Sequence, residues 1–168
     1  GKITNYESAN VQVSIQYMDG VGRPVQRIEY RTSPSLKDLV TIQEYTALEY
    51  LDKNWLPASY NTGGAYANPA SITPQAMSGY GDSMPYSSSL YEEPVYKRER
   101  ESYAPGQQWY NYKKAVKTEY LSNVSGDASL NCILYKVNGT GKNTTLVQSG
   151  SHLSGDLYVV RATDEDQN

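Results

Sequence analysis

Residues 11–18, Val-Gln-Val-Ser-Ile-Gln-Tyr-Met, alternate between apolar and polar positions. A period of two places Val11, Val13, Ile15 and Tyr17 on one side of a strand. Asp19-Gly20-Val21-Gly22 follows as a turn, Asp-Gly being a strong hairpin signal. From Pro24 to Arg31 the alternation resumes, with Gln26, Ile28 and Tyr30 opposite Val25, Arg27 and Glu29. Pro24 suits the first residue of a strand. The two runs predict a β-hairpin. Ser33-Pro34-Ser35 interrupts the chain, and residues 38–46 are rich in β-formers and predict a third strand. Tyr50 to Trp55 predicts a fourth, after a weak turn at Ala47-Leu48-Glu49. A helix from Leu39 to Leu51 competes, because Ala47 to Leu51 has helical propensity; the β-branched residues favour strands.

From Asn54 to Tyr91 the pattern fades, and Asp82 is the only charged residue. Pro57, Pro69, Pro74 and Pro85 are interspersed with Gly63, Gly64, Gly79 and Gly81. Structureless loops of this length are uncommon in compact domains. Tyr60, Tyr66, Tyr80, Tyr86 and Tyr91 predict a long loop over 56–91, laid on the core with rings as anchors, with room for a short helix around Pro74–Gly79. The charge run over 92–101 reads as a solvated face. After a turn at Ala104-Pro105-Gly106, β pattern returns from Trp109 to Leu121. Leu130 to Val137 and Thr144 to Gln148 flank the turn Asn138-Gly139-Thr140-Gly141, and Leu157 to Thr163 reads as the last strand. The prediction is one β-rich domain over 1–168, all-β or β-dominated. It consists of antiparallel hairpins in a sheet- or sandwich-like arrangement: hairpins over 11–55, the wrapping loop over 56–91, further strands over 92–163 and a polar tail over 164–168.

Composition narrows the chemistry. The chain has 168 residues, a net charge of −3, 17 Tyr, 2 Trp, no Phe, one Cys and one His. So many aromatics argue against disorder. Mild acidity gives no pull toward nucleic acid or anionic membranes. No apolar run approaches the roughly 20 residues of a membrane span. A single cysteine excludes an internal disulfide framework and a Cys-rich zinc site. Cys132 lies in an apolar run and reads as a small core residue. A nucleophile would need a base, and the one imidazole, His152, sits in a Gly-Ser-rich stretch that reads as a loop. Glu92 and Glu93 are adjacent, which does not define a cleft. The tail lacks the central Gly and distal Glu of a calcium loop. Gly139-Thr140-Gly141-Lys142 lacks P-loop spacing. Asn123-Val124-Ser125, Asn138-Gly139-Thr140 and Asn143-Thr144-Thr145 are glycosylation triplets of a kind that arises by chance in such sequence. No catalytic residue, metal or cofactor is expected. The chain opens Gly1-Lys2 without Met, so a natural start upstream or removed is expected.

Tyr17-Met18-Asp19-Gly20-Val21-Gly22-Arg23-Pro24-Val25-Gln26 resembles the Tyr-Asp repeat of RHS proteins. Lys37 to Tyr45 and Trp55-Leu56-Pro57 resemble the opening of an uncharacterised domain found N-terminal to RHS repeats in large surface or secreted proteins of Bacteroidetes. Ala104-Pro105-Gly106 with Trp109, and Gly155 to Tyr158 through Thr163 to Asp166, keep that domain's order of landmarks. Tyr45-Thr46-Ala47-Leu48-Glu49-Tyr50 stands where a second Tyr-Asp-x-x-Gly-Arg would be expected, which predicts a lost tight turn there. The resemblance implies a scaffold beside an RHS shell that encloses a C-terminal cargo. It implies neighbouring RHS repeats of the parent chain as partners, and a place at the cell surface or outside the cell. It carries no catalytic residues. In the motif, Gly20 and Gly22 are expected to supply positive φ, and Asp19 to bond backbone amides. Arg23 is expected to bridge to a carboxylate or carbonyl, and Tyr17 to pack on the adjacent hairpin. The alternative is a glycan- or ligand-binding β-module that uses Trp55 and Trp109 as stacking platforms.

Overall fold

The computed structural model describes residues 11–92 and 96–166. Residues 93–95 of the charge run, residues 167 and 168 of the tail, and the Gly1-Lys2 start lie outside them. The chain, read above as one domain over 1–168, divides into two compact units, 1–115 and 116–168. The architecture is β-dominated and antiparallel, as the sequence predicts.

In the first unit the strands are β1 (Ser14–Met18), β2 (Pro24–Glu29), β3 (Asp38–Tyr45), β4 (Leu51–Trp55) and β5 (Ala58–Tyr60). Helix α1 (Pro69–Tyr80), β6 (Tyr86–Tyr91), β7 (Glu99–Tyr103) and helix α2 (Gln107–Asn111) follow. The strands form a meander in the order β1-β2-β3-β4-β6-β7. β4 and β5 both lie along β3, Gln43 facing Asn54 and Val40 facing Ala58, with a break at Leu56-Pro57. There the Leu56 N–H donates to the Pro85 carbonyl at 2.8 Å.

Register sets the core. Ile28 opposes Val40 and Gln26 opposes Ile42, so these four share one sheet face. Ile28, Val40, Ile42, Trp55 and Ala58 pack with Ile72 and Ala76 of α1, while Ile15, Tyr17 and Tyr86 flank them. Ile72 and Ala76 are four apart and meet the sheet from one helix face. The opposite sheet face carries Gln16, Arg27, Thr41, Gln43 and Asn54 along a shallow trough of about 440 Å³. A polar outward face is the ordinary state of a one-sided antiparallel sheet.

The stretch 56–91, expected as a loop, contains β5, α1 and β6. Asn68 caps α1 by accepting the Ala70 N–H at 3.0 Å, Pro69 opens it and Gly81 closes it in the left-handed conformation. Pro74 sits inside the helix without stopping it. Wrapping survives in one part, residues 61–68, described below. Of the β pattern expected from Trp109 to Leu121, the strand begins only at Ala115, and the first residues belong to a helix, α2. Its first N–H, on Gln107, donates to the Asp82 carboxylate at 2.9 Å, a partner 25 residues back.

The second unit holds β8 (Ala115–Ser122), whose first residue falls just before the division, with β9 (Ile133–Asn138), β10 (Thr145–Ser151) and β11 (Tyr158–Thr163). β8 pairs β11 and β9 pairs β10, both antiparallel. Asn123 is fully buried: its side-chain amide donates to the Leu153 carbonyl and accepts the Leu157 N–H. That occupies the acceptor of the first glycosylation triplet.

Candidate functional site

The Tyr-Asp motif builds the β1–β2 turn. The Asp19 N–H donates to the Arg23 carbonyl at 2.9 Å, and the Gly22 N–H to the Asp19 carbonyl at 3.1 Å. The Asp19 carboxylate accepts the N–H groups of Val21 and Arg23 and the Arg23 Nε at 2.7 Å. The Arg23 N–H, with help from its guanidinium and the Val21 N–H, holds the Asp19 carboxyl below its ordinary range against the opposing effect of desolvation. Gly22 is left-handed at φ +85°, whereas Gly20 has no positive φ. Only one of the two glycines therefore has the expected backbone role. This is a three-residue loop, a type I turn followed by a left-handed residue.

The same turn recurs twice. Between β2 and β3, the Ser33 N–H donates to the Lys37 carbonyl and the Leu36 N–H to the Ser33 carbonyl. Ser33 Oγ accepts the Lys37 N–H at 2.8 Å, and Leu36 sits at φ +55°. Between β3 and β4, the Thr46 N–H donates to the Tyr50 carbonyl and the Glu49 N–H to the Thr46 carbonyl. Thr46 Oγ1 accepts the Leu48 and Tyr50 N–H groups, and Glu49 sits at φ +68°. The second block has therefore kept its tight turn, contrary to expectation. Thr46 takes the place of Asp19 and Glu49 that of Gly22, 27 residues on.

Side chains fasten each hairpin to its surroundings. The Tyr45 hydroxyl donates to the Pro24 carbonyl at 2.8 Å, and the Arg23 guanidinium lies 4.8 Å above the Tyr45 ring. The Tyr17 hydroxyl donates to the Gly64 carbonyl at 2.8 Å, and its ring meets Tyr66 edge-on at 5.5 Å. Tyr17 thus packs on the 61–68 segment. Two buried polar residues hold the same segment. The Gln26 amide donates to the Ala67 carbonyl and accepts the Ala67 N–H, at 2.8 and 2.9 Å. The Asp38 carboxylate accepts the N–H groups of Arg31, Thr62 and Gly64 and the Thr62 hydroxyl. Burial pushes the Asp38 carboxyl up, but the Thr62 hydroxyl and these three N–H donors outweigh it and hold the group below its ordinary value. Sequence reasoning missed both residues. The available signal was register: each occupies the inward position of a strand whose other inward residues are apolar.

The structure separates the two tryptophans. Trp55 is 6% exposed, donates from Nε1 to Glu44 at 2.7 Å and packs on Tyr86 at 4.7 Å. It is a core residue and offers no open face. Trp109 is 39% exposed and lines a recess of about 280 Å³ with Gln108, Tyr112 and Lys114. Cys132 is half-buried, its thiol 3.9 Å from the Leu130 carbonyl. Its carbonyl accepts the His152 N–H, so these two residues are joined through their backbones. Among the described residues no group of three or more His, Cys, Asp or Glu side chains could hold a metal. No helix among them is long and apolar enough to cross a membrane.

The fold and its turns define a β-dominated protein built on antiparallel hairpins. Residues 1–122 match the family described as Domain of unknown function (DUF6443), and the chain belongs to that family. Comparison with curated proteins found no match, and comparison with solved structures found none.

Proposed function

We propose that the chain is a non-catalytic architectural module of a larger RHS-repeat protein at the cell surface or outside the cell. Its partners are the Tyr-Asp hairpins of the same parent polypeptide. The observation that supports this is the recurrence of one five-residue turn at 19–23, 33–37 and 46–50, closing three successive strand connections with the same hydrogen bonds. The motif's polar groups are engaged within the hairpins: Asp19 with Arg23, Arg23 with the Tyr45 ring, and Tyr45 with the Pro24 carbonyl. Such an arrangement rigidifies a sheet and leaves none of these groups poised for proton transfer or nucleophilic attack. Place and partner rest on the likeness of residues 17–57 to the domain that precedes RHS repeats.

The test is made on the full parent polypeptide. A protease site is inserted after Asn168 and cleaved under native conditions. The module is expected to stay bound to the remainder through size-exclusion chromatography in moderate salt. Its release as a separate species overturns the reading, as does a parent polypeptide that carries no Tyr-Asp repeats.

A further inference from the structure

We infer that the recess at Trp109 is a binding site for a single sugar ring, a pyranose stacked on the exposed indole. This goes beyond the architectural reading, and the two can fail separately. Binding sites are concave, largely apolar, and carry a few placed polar groups. A recess of about 280 Å³ lined by Gln108, Trp109, Tyr112 and Lys114 offers such a surface, open to solvent and sized for a single ring. The indole supplies an apolar face for the C–H face of a pyranose. The Gln108 amide, one residue away, offers both a donor and an acceptor to ring hydroxyls. Tyr112, 74% exposed, adds a second aromatic wall with a hydroxyl at its end.

The platform is held in place before any ligand arrives. Both ends of the five-residue helix are fastened: the Gln107 N–H to Asp82, and the Lys114 N–H to the Trp109 carbonyl at 2.9 Å. Asp82 also accepts the Met84 N–H at 2.7 Å, so its carboxylate is fixed. Gly106 stands at φ +125°, and a Cβ there would meet Trp109 Cδ1 at 3.2 Å, so the indole edge rests against a position that only glycine fills comfortably. On the inner side the Tyr110 ring packs on Tyr103 at 5.1 Å. Orientation fixed in advance reduces what a weak ligand loses on ordering its site. An exposed Trp whose indole edge rests against the Gly106 backbone differs from one that merely lies on the surface.

The experiment uses the whole chain labelled with nitrogen-15. Its two tryptophans give two indole N–H signals, and Trp55, buried and bonded to Glu44, serves as the internal control. Methyl glycosides of glucose, galactose, mannose and N-acetylglucosamine are titrated in turn. At least one is expected to move the Trp109 signal with a Kd on the order of millimolar, while the Trp55 signal stays still. Saturation transfer to that glycoside is expected to disappear in Trp109→Ala, and Gln108→Ala is expected to weaken binding by about threefold or more. An unchanged Trp55 signal in each variant certifies the fold. If none of the glycosides moves the Trp109 signal, or if transfer survives in Trp109→Ala, the inference is overturned. Movement of that signal only when the chain is joined to the rest of its polypeptide assigns the indole to a protein contact, and equally overturns it.

Discussion

Leu36 and Glu49 occupy the position that Gly22 fills in the first turn, and both are held at positive φ with a side chain on Cα. Left-handed backbone costs an ordinary residue about 1–2 kcal/mol, a cost glycine avoids. Both side chains are largely in solvent, and the ion pair of Glu49 is a long one, 3.9 Å to the Arg23 guanidinium, so little is lost on removing them. Leu36→Gly and Glu49→Gly are therefore each expected to stabilise the protein by about 1 kcal/mol, after the added freedom of the unfolded chain is subtracted. Thermal melting would show it as a rise of roughly 2–4 °C per substitution; a fall in either variant would mean the turn tolerates its side chain for a reason not seen in its hydrogen bonds. Asp38 gives the opposite case. Its removal takes an acceptor from the Arg31, Thr62 and Gly64 N–H groups and from the Thr62 hydroxyl, the Gly64 N–H still reaching Thr62 Oγ1 at 3.0 Å, so Asp38→Ala is expected to cost about 2–3 kcal/mol. The folded Asp38 carboxyl lies below its unfolded value near 3.8. Its contribution is therefore complete above that value and is lost as pH falls through the lower folded value. Asp19 and Glu29, also held low, add to the same acid loss. Denaturant titrations carried from about pH 5 down to about pH 2 are expected to show stability falling below the unfolded carboxyl value, with a shallower fall in Asp38→Asn. The Asp19 turn was legible because Asp, Gly and Arg advertise it. The breaks at Ser33-Pro34-Ser35 and Ala47-Leu48-Glu49 were legible as interruptions but not as copies of that turn, because the bonding pattern is shared while the residue types are not.

At the scale of elements, alternation identified β1 and β2, and β-forming residues identified β3, nearly to their ends. Local pattern failed where an element depends on a distant partner. Helix α2 is Gln-Gln-Trp-Tyr-Asn, whose aromatics suit a strand; its helical start rests on the Asp82 carboxylate, which no local pattern reveals. Helix α1 was legible only as room for a short helix around Pro74–Gly79: its caps Asn68, Pro69 and Gly81 blended into the surrounding Pro, Gly and Ser, and Pro74 masked its length. The 61–68 segment is the piece of the expected wrap that remains, and polar anchors hold it more than rings do. Gln26 and Ala67 exchange two hydrogen bonds as though Gln26 were a strand residue turned sideways. Gln26→Leu keeps the volume and removes both bonds. It is expected to leave the β2–β3 ladder intact, and to raise the exchange rate of the Ala67 amide by about tenfold or more in hydrogen-exchange NMR. Equal slowing or speeding of Ile28 and Val40 amides would show instead that the segment and the sheet open together. Tyr17→Phe removes one bond to the same segment, and a loss of about 1 kcal/mol is expected.

The whole molecule is uneven in what it buries. The apolar core residues Ile28, Val40, Ile42, Trp55, Ala58, Ile72 and Ala76 all belong to the first unit. Among the described residues of 116–166, Asn123 is the one buried side chain, and it is polar. The β9–β10 pair leaves Ile133, Tyr135, Val137, Leu146 and Val147 largely in solvent. A two-stranded ribbon with no covered apolar face is marginal by itself. The family match ends at Ser122, the last residue of β8, so this weakly buried part is also the part that the family does not describe. Hydrophobic burial sets most of the free energy of opening. Amides of β9 and β10 are therefore expected to exchange by local opening, at least about a hundredfold faster than those of β2 and β3 in the same sample. Adding denaturant below the midpoint should speed the β2–β3 amides steeply and the β9–β10 amides little, because only the former require the core to be exposed. If both sets instead exchange at one rate with one denaturant dependence, the ribbon opens only with the core, and its exposed side chains are not the measure of its stability.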